Sequence, residues 1–199
     1  MKRLLVATHN RGKLREYKEL LSDLPVTLIY LDDIGIHQDV PEAGHTFEEN
    51  ALQKATAYAR LSGLLTLADD SGLEVDALGG APGIHSARYA GPNATDEDRI
   101  RKLLAELRHV PPEERTARFR CVIAVATPEG TTYTAEGTVE GQIVDTPRGS
   151  HGFGYDPIFL LPDRGQTMAE LPPEEKNRIS HRARAAQAIK PVLRRLLED

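Results

Sequence analysis

Two adjacent carboxylates, Asp69 and Asp70, end a short apolar run in the stretch LLTLADDSGLEVD from Leu64 to Asp76. Neighbouring carboxylates repel unless a proton or cation lies between them, so the chemistry they offer is binding of a hard divalent metal through oxygen. The same Asp, Ser and Gly residues also build an ordinary polar turn with an Asx hydrogen bond. Glu42, on a loop ahead of a helical stretch, supplies a third carboxylate if that loop folds back. A different chemistry is written in THNRGK, Thr8 to Lys13, which includes His9, Asn10, Arg11 and Gly12. A strand, a tight polar loop and a helix start carrying Lys13 make a phosphate cradle from amide hydrogens, helix dipole and ammonium charge. It is not a Walker A loop, because Ala7 stands where that motif has its first glycine and Leu14 where it has Ser or Thr. A β-α turn with a solvated lysine is the plainer reading.

The second cluster is SHGFGYDPIF, Ser150 to Phe159, where Gly152 and Gly154 flank Phe153 and Tyr155-Asp156 follow. Glycine on either side removes side-chain cover, so a flat ligand such as a nucleobase can lie against the ring. A glycine-rich turn with Phe153 in the core uses the same residues. Late in the chain Lys176, Arg178, His181, Arg182 and Arg184 gather around Ser180, which reads as an N-cap. Cations at a helix start oppose its dipole, and a bound anion or a base presenting acceptors would account for them. A solvated basic face is the alternative.

These residues need elements to position them. Leu4 to Thr8 reads as a strand, and Leu14, Tyr17, Leu20, Leu21 and Leu24 recur at helical spacing after it. Leu64 to Ala68 reads as a buried strand, with Asp69 to Gly72 as the turn at its C-terminal end, where α/β sheets keep their sites. Val26 to Leu31 is another strand. Thr46 and Glu49 form a capping box for a helix with the apolar stripe Phe47, Ala51, Ala55, Tyr58 and Ala59, and Asn50 and Lys54 share one of its faces. Thr95 with Asp98 caps a further helix bearing Ile100, Leu103, Leu104 and Leu107. Ala117 to Thr127 and Thr131 to Val144 are β-like and joined by a turn, so antiparallel strands interrupt the βα pattern and the sheet is expected to be mixed. The C-terminal helix is amphipathic, and Pro191 should kink or interrupt it.

With 199 residues, 40% of them apolar and 28% charged, the chain has the makeup of one globular domain with a real core. A net charge of -5 argues against nonspecific nucleic-acid binding but leaves room for a local basic pocket. The single cysteine, Cys121, lies in the apolar run CVIAVA and reads as a small buried side chain. The apolar start is too short for a signal peptide or membrane span, so the expected location is the cytoplasm, with no membrane partner.

Together, a carboxylate site, a Gly-Lys loop, an aromatic between glycines and late Lys, His and Arg donors are the parts needed to hold a metal-bound nucleoside triphosphate. THNRGK, TFEENALQKA, ADDSGLEVDALGGAPGIHSARYAG, GFGYDPIF and EEKNRISHRARA, in this order, resemble the inosine/xanthosine triphosphate pyrophosphatase family, from about Leu4 to the last helix. The resemblance implies an elongated two-lobed α/β fold, a single domain over residues 1–199, built around a mixed β-sheet with flanking helices. It places the active site in the cleft between lobes and implies a homodimer. It also implies hydrolysis of ITP, dITP or XTP to the monophosphate and pyrophosphate with Mg2+. Carried over by residue, it makes Asp70 the proton acceptor and a metal ligand, with Glu42 a second metal carboxylate and Asp69 close by. Nucleotide contacts fall on Thr8 through Lys13, Ser71, Phe153 through Asp156, Lys176, His181 and Arg182. His9 and His151 are departures that bear on rate or pH profile. A pyrophosphatase for other modified nucleotides and a non-catalytic nucleotide sensor are the rival readings.

Overall fold

A computed structural model describes residues 1–199. The strands β1 (Lys2–Val6), β2 (Val26–Tyr30), β3 (Leu65–Val75), β4 (Thr116–Ala126), β5 (Thr132–Ile143), β6 (Phe159–Leu161) and β7 (Gln166–Thr167) form one seven-stranded sheet in the order β2-β1-β3-β4-β5-β6-β7. β1 runs parallel to β2 and β3, whereas β6 is antiparallel to β5 and β7, so the sheet is mixed as expected. Five helices accompany it: α1 (Arg11–Leu20), α2 (Phe47–Ser62), α3 (Asp96–Leu107), α4 (Pro173–Ile179) and α5 (His181–Glu198). None is long and apolar enough to cross a membrane.

The chain forms two compact units, one from Met1–Asp70, Cys121–Gly137 and His181–Asp199, the other from Ser71–Arg120 and Thr138–Ser180. In the first, Leu4 and Val6 of β1, Tyr17 and Leu20 of α1, Cys121, Ile123 and Val125 of β4, and Ile189 and Leu193 of α5 make a buried core. In the second, Leu73 and Val75, the α3 stripe Ile100, Leu103 and Leu107, and Phe119, Ile158 and Phe159 make another.

The helix starts follow from local chemistry. Asn10 caps α1 by accepting from the Lys13 amide, and Thr46 caps α2 by accepting from Glu49. The Glu49 carboxylate accepts from the amide of His45, one residue before the cap, so this box is closed one position early. Thr95 and Asp98 form the full reciprocal box on α3.

Two expectations give way. β3 does not end at Ala68: it runs through Asp69, Asp70, Ser71 and Gly72 to Val75. Polar residues stay in a buried strand when each finds partners there, and both aspartates do. Pro191 lies inside α5 without ending it. Pro191 and Gln187, whose carbonyl loses its usual N–H partner, are both exposed, so water can satisfy the orphaned acceptor.

Candidate functional site

Strand geometry decides the aspartate pair first. Successive residues of a strand point to opposite sides. Asp69 and Asp70 accordingly have separate hydrogen-bond partners, and the repulsion expected between them is relieved by direction as well as by the charges of Lys13 and Lys54, which act on both. Asp69 Oδ1 accepts from Lys13 Nζ at 2.8 Å, while Oδ2 accepts from the Tyr17 hydroxyl at 2.6 Å and Arg182 Nε at 3.0 Å. Arg182 also donates to Glu16 Oε1 at 3.1 Å. Lys13 and Arg182 thus face Asp69 and Glu16, a balanced buried set on α1, β3 and α5. Burial alone would raise the Asp69 pKa, but the Lys13 ammonium and Arg182 guanidinium hold it well below the usual carboxylate range. Burial keeps Tyr17 protonated and a donor. The Cys121 thiol beside Asp69 is pushed up to about 12, chiefly by burial, so it is inert packing, as read from CVIAVA.

Asp70, only 7% exposed, accepts from Asn50 Nδ2 of α2 at 3.0 Å. The Glu42 loop lies back on the same helix: Glu42 Oε1 pairs with Lys54 Nζ at 2.9 Å, the Ala43 amide donates to Gln53, and the Gly44 amide donates to Asn50 Oδ1. Burial, with a further push from the Glu42 charge, raises the Asp70 pKa to about 6 against the pull of Lys54. Lys54 is itself partly buried, which would lower its pKa, but Asp69, Glu42 and Asp70 raise it, so it remains a cation.

Lys54 and Asn50, to which the sequence assigned no role, are the side chains of α2 that meet Glu42 and Asp70. Their signal was the shared helix face, four residues apart, which reads as solvated until a strand covers it. No three His, Cys, Asp or Glu side chains converge as a cation cage. Asp69, Glu42 and Asp70 all bear on Lys54, but both Asp69 oxygens are taken by protein donors, which leaves Glu42 and Asp70 as the pair for a cation. Such a pair suits magnesium, which keeps several waters and uses one or two carboxylates together with substrate phosphates.

In the β1-α1 turn, Thr8 Oγ1 accepts from the Asn10 amide. No acidic residue occupies the first turn of α1 after Arg11, so its dipole and free amides favour an anion. Gly12 is buried, and the His9 ring reaches the Gln38 carbonyl at 3.4 Å on the Glu42 loop. Ser71 follows Asp70 in β3 and is partly exposed.

In the second unit, Phe153 is partly exposed and not a core residue. Its amide donates to Asp156 Oδ2 at 3.1 Å, and Lys176 Nζ, which donates to the same oxygen at 2.7 Å, lies 4.7 Å from the Phe153 ring centroid. Asp156 and Lys176 are both buried. Gly152 serves a purpose other than uncovering the ring: its φ is +73°, and a Cβ there would stand 2.1 Å from Asp156 Oδ2. The Gly154 amide donates to Asp96, and the buried Tyr155 hydroxyl donates to the Ser86 carbonyl.

His181 and Arg182 open α5 and are buried. Arg182 was grouped with Lys176 as a base donor, yet the guanidinium bonds described above tie it to the Asp69 set.

The Ham1 family model matches residues 4–192. This chain belongs to the Ham1 family. Among its Ham1 relatives, the dITP/XTP pyrophosphatase of Geobacter sulfurreducens is 57% identical over 193 residues, covering 97% of each chain. That of Bacillus subtilis is 51% identical, covering 97% of this chain and 98% of its own. The solved HAM1 protein of Coxiella burnetii superposes with a TM-score of 0.88 at 46% identity, covering 97% of this chain and 98% of the other.

Proposed function

We propose that this Ham1 protein is a nucleoside triphosphate pyrophosphatase that hydrolyses ITP, dITP and XTP to the monophosphate and pyrophosphate. The observation that carries the reading is Asp70, a buried carboxylate raised to about 6 beside Glu42 and Lys54. A carboxylate of that basicity can take a proton from water near neutral pH. The names of the Geobacter and Bacillus relatives support the substrate class.

The carboxylate set is assigned to the triphosphate. Asp70 accepts the proton of the water that attacks the α-phosphorus, and pyrophosphate leaves. Magnesium, which Glu42 and Asp70 would hold, neutralises phosphate charge when bound. Lys13 gives one of its three N–H donors to Asp69 and has two for phosphate, alongside the free amides of the loop from Thr8 to Lys13. Asp69 is better suited to anchoring Lys13 and Arg182 than to ligating metal. Ser71 adds a hydroxyl next to Asp70.

The Phe153 set, with Gly154, Tyr155 and Asp156, is assigned to the base. Lys176 and His181 supply donors to the 6-oxo group, and adenine, with a 6-amino group, would leave a buried donor unpaired. Arg182 acts through the Asp69 network. A cytoplasmic homodimer, implied by the resemblance, completes the reading, and light scattering tests the dimer.

A panel of ITP, XTP, dITP, GTP, ATP and modified pyrimidine triphosphates, assayed for pyrophosphate release, should show turnover concentrated on the first three. Preference for a modified pyrimidine would replace the reading with that of a different pyrophosphatase. Asp70→Asn should lose turnover while still binding ITP by calorimetry; a variant with wild-type rates rules out Asp70 as the base.

A further inference from the structure

The geometry points to Asp96 as a positioning residue for base recognition, holding the Gly154 amide and through it the Phe153 ring, with Arg99 locking Asp96 in place. This rests on the assignment of the base to Phe153.

Asp96 opens α3 and uses both of its oxygens. Oδ2 accepts from the Gly154 amide at 2.9 Å, and Oδ1 accepts from Arg99 at 2.7 Å. Arg99 is the inner member of the pair, its side chain 17% exposed against 46% for Asp96. Its other guanidinium nitrogen donates to the carbonyls of Ala87 at 3.0 Å and Ala94 at 2.9 Å. One guanidinium thus fastens both ends of the segment 87–94 to the helix start, and the carboxylate beside it fastens the loop 152–156. A helix of twelve residues with a complete capping box is a rigid base for such a brace.

Hydrogen bonds tether the loop that carries Phe153. Tyr155 is held by the Ser86 carbonyl, and the Phe153 amide is held by Asp156. Gly154 lies between them at φ +63°; the carbonyl of the Phe153–Gly154 peptide accepts from the Asp156 amide at 3.3 Å, and its N–H is held by the Asp96 side chain. The peptide bonded to Asp96 is the one joining Phe153 to Gly154. Turning it tilts the ring relative to Lys176, whose ammonium is held separately by Asp156. Recognition that needs stacking and a donor at one oxygen is sensitive to that tilt.

Steady-state kinetics on the full chain with ITP tests this. Asp96→Ala should raise KM about 5- to 10-fold, as expected for loss of one charge-assisted hydrogen bond, with kcat within about twofold. Asp96→Asn, which keeps an acceptor for Gly154, should recover most of the loss. Asp98→Ala weakens the cap of the same helix without touching Gly154 and should leave KM unchanged. In a Phe153→Ala background, Asp96→Ala should add nothing further, because Asp96 acts through that ring. If Asp96→Ala does not fold, Asp96→Ser replaces it, since its shorter side chain suits a helix start but cannot reach both partners. A KM unmoved by Asp96→Ala, matched by Asp98→Ala, or raised equally in both backgrounds overturns the proposal. A Phe153→Ala variant with wild-type KM overturns instead the base assignment on which it rests.

Discussion

The charge on Asp70 is costly to the fold that carries it. Its pKa is raised to about 6 from 3.8, chiefly by burial. Between those values the folded state keeps a proton that the unfolded chain has released. Stability therefore falls as pH rises across that window, and the whole penalty is present above it. Without divalent metal at pH 7.5, Asp70→Asn should be more stable than wild type by about 2 to 3 kcal/mol, read from urea titrations with a chelator present. A variant no more stable than wild type would show that Asp70 carries no such penalty. Arg182 behaves in the opposite way. It neutralises Asp69 and Glu16 in a site where its own side chain is 2% exposed. Arg182→Ala should cost about 3 to 5 kcal/mol by leaving those carboxylates buried and under-neutralised, whereas Arg182→Lys should cost less. Equal losses in the two variants would point to packing in place of charge.

Glycine at 137 sets how closely β5 passes the first turn of α5. A Cβ there would lie 2.1 Å from the His181 carbonyl oxygen and 2.5 Å from the Ala185 amide nitrogen. Both are backbone atoms, so no side chain can swing away, and Gly137→Ala should destabilise by about 2 to 3 kcal/mol in thermal melts. A loss under half a kcal/mol would mean the helix shifts freely. The helices were legible because their information is local: an apolar stripe in α1, and a cap followed by a stripe in α2 and α3, each lie within one continuous stretch of chain. β3 was misread at its end because DDSG carries turn residues while its hydrogen-bond partners are remote. Lys13 lies 56 residues from Asp69 and Arg182 lies 113, and no window centred on the strand contains either. Lys54 escaped for the same reason, since a lysine on a helix face looks solvated until Glu42 and Asp70 arrive. The Gly-Lys loop was readable because strand, turn and helix start are contiguous. The glycines around Phe153 were found, but the reason for Gly152, room for Asp156, needed coordinates.

At the scale of the molecule, the first unit is assembled from three separated stretches of chain, the last of them His181–Asp199. A chain ending at Ser180 would lack α5, and with it Arg182 and the core residues Ile189 and Leu193. Such a truncation should show no ITP turnover and no cooperative melting of the first unit, as monitored by hydrogen exchange in β1 and α1. Native-like protection there would mean that the unit closes without its final helix. Arg182 meets Glu16 across 166 residues of sequence. During synthesis that pairing is available only after Arg182 has emerged from the ribosome. Until then Asp69 lacks one of the cations that neutralise it, and a product terminated before Arg182 should be inert toward nucleotides, so the order of translation itself would withhold activity from such copies.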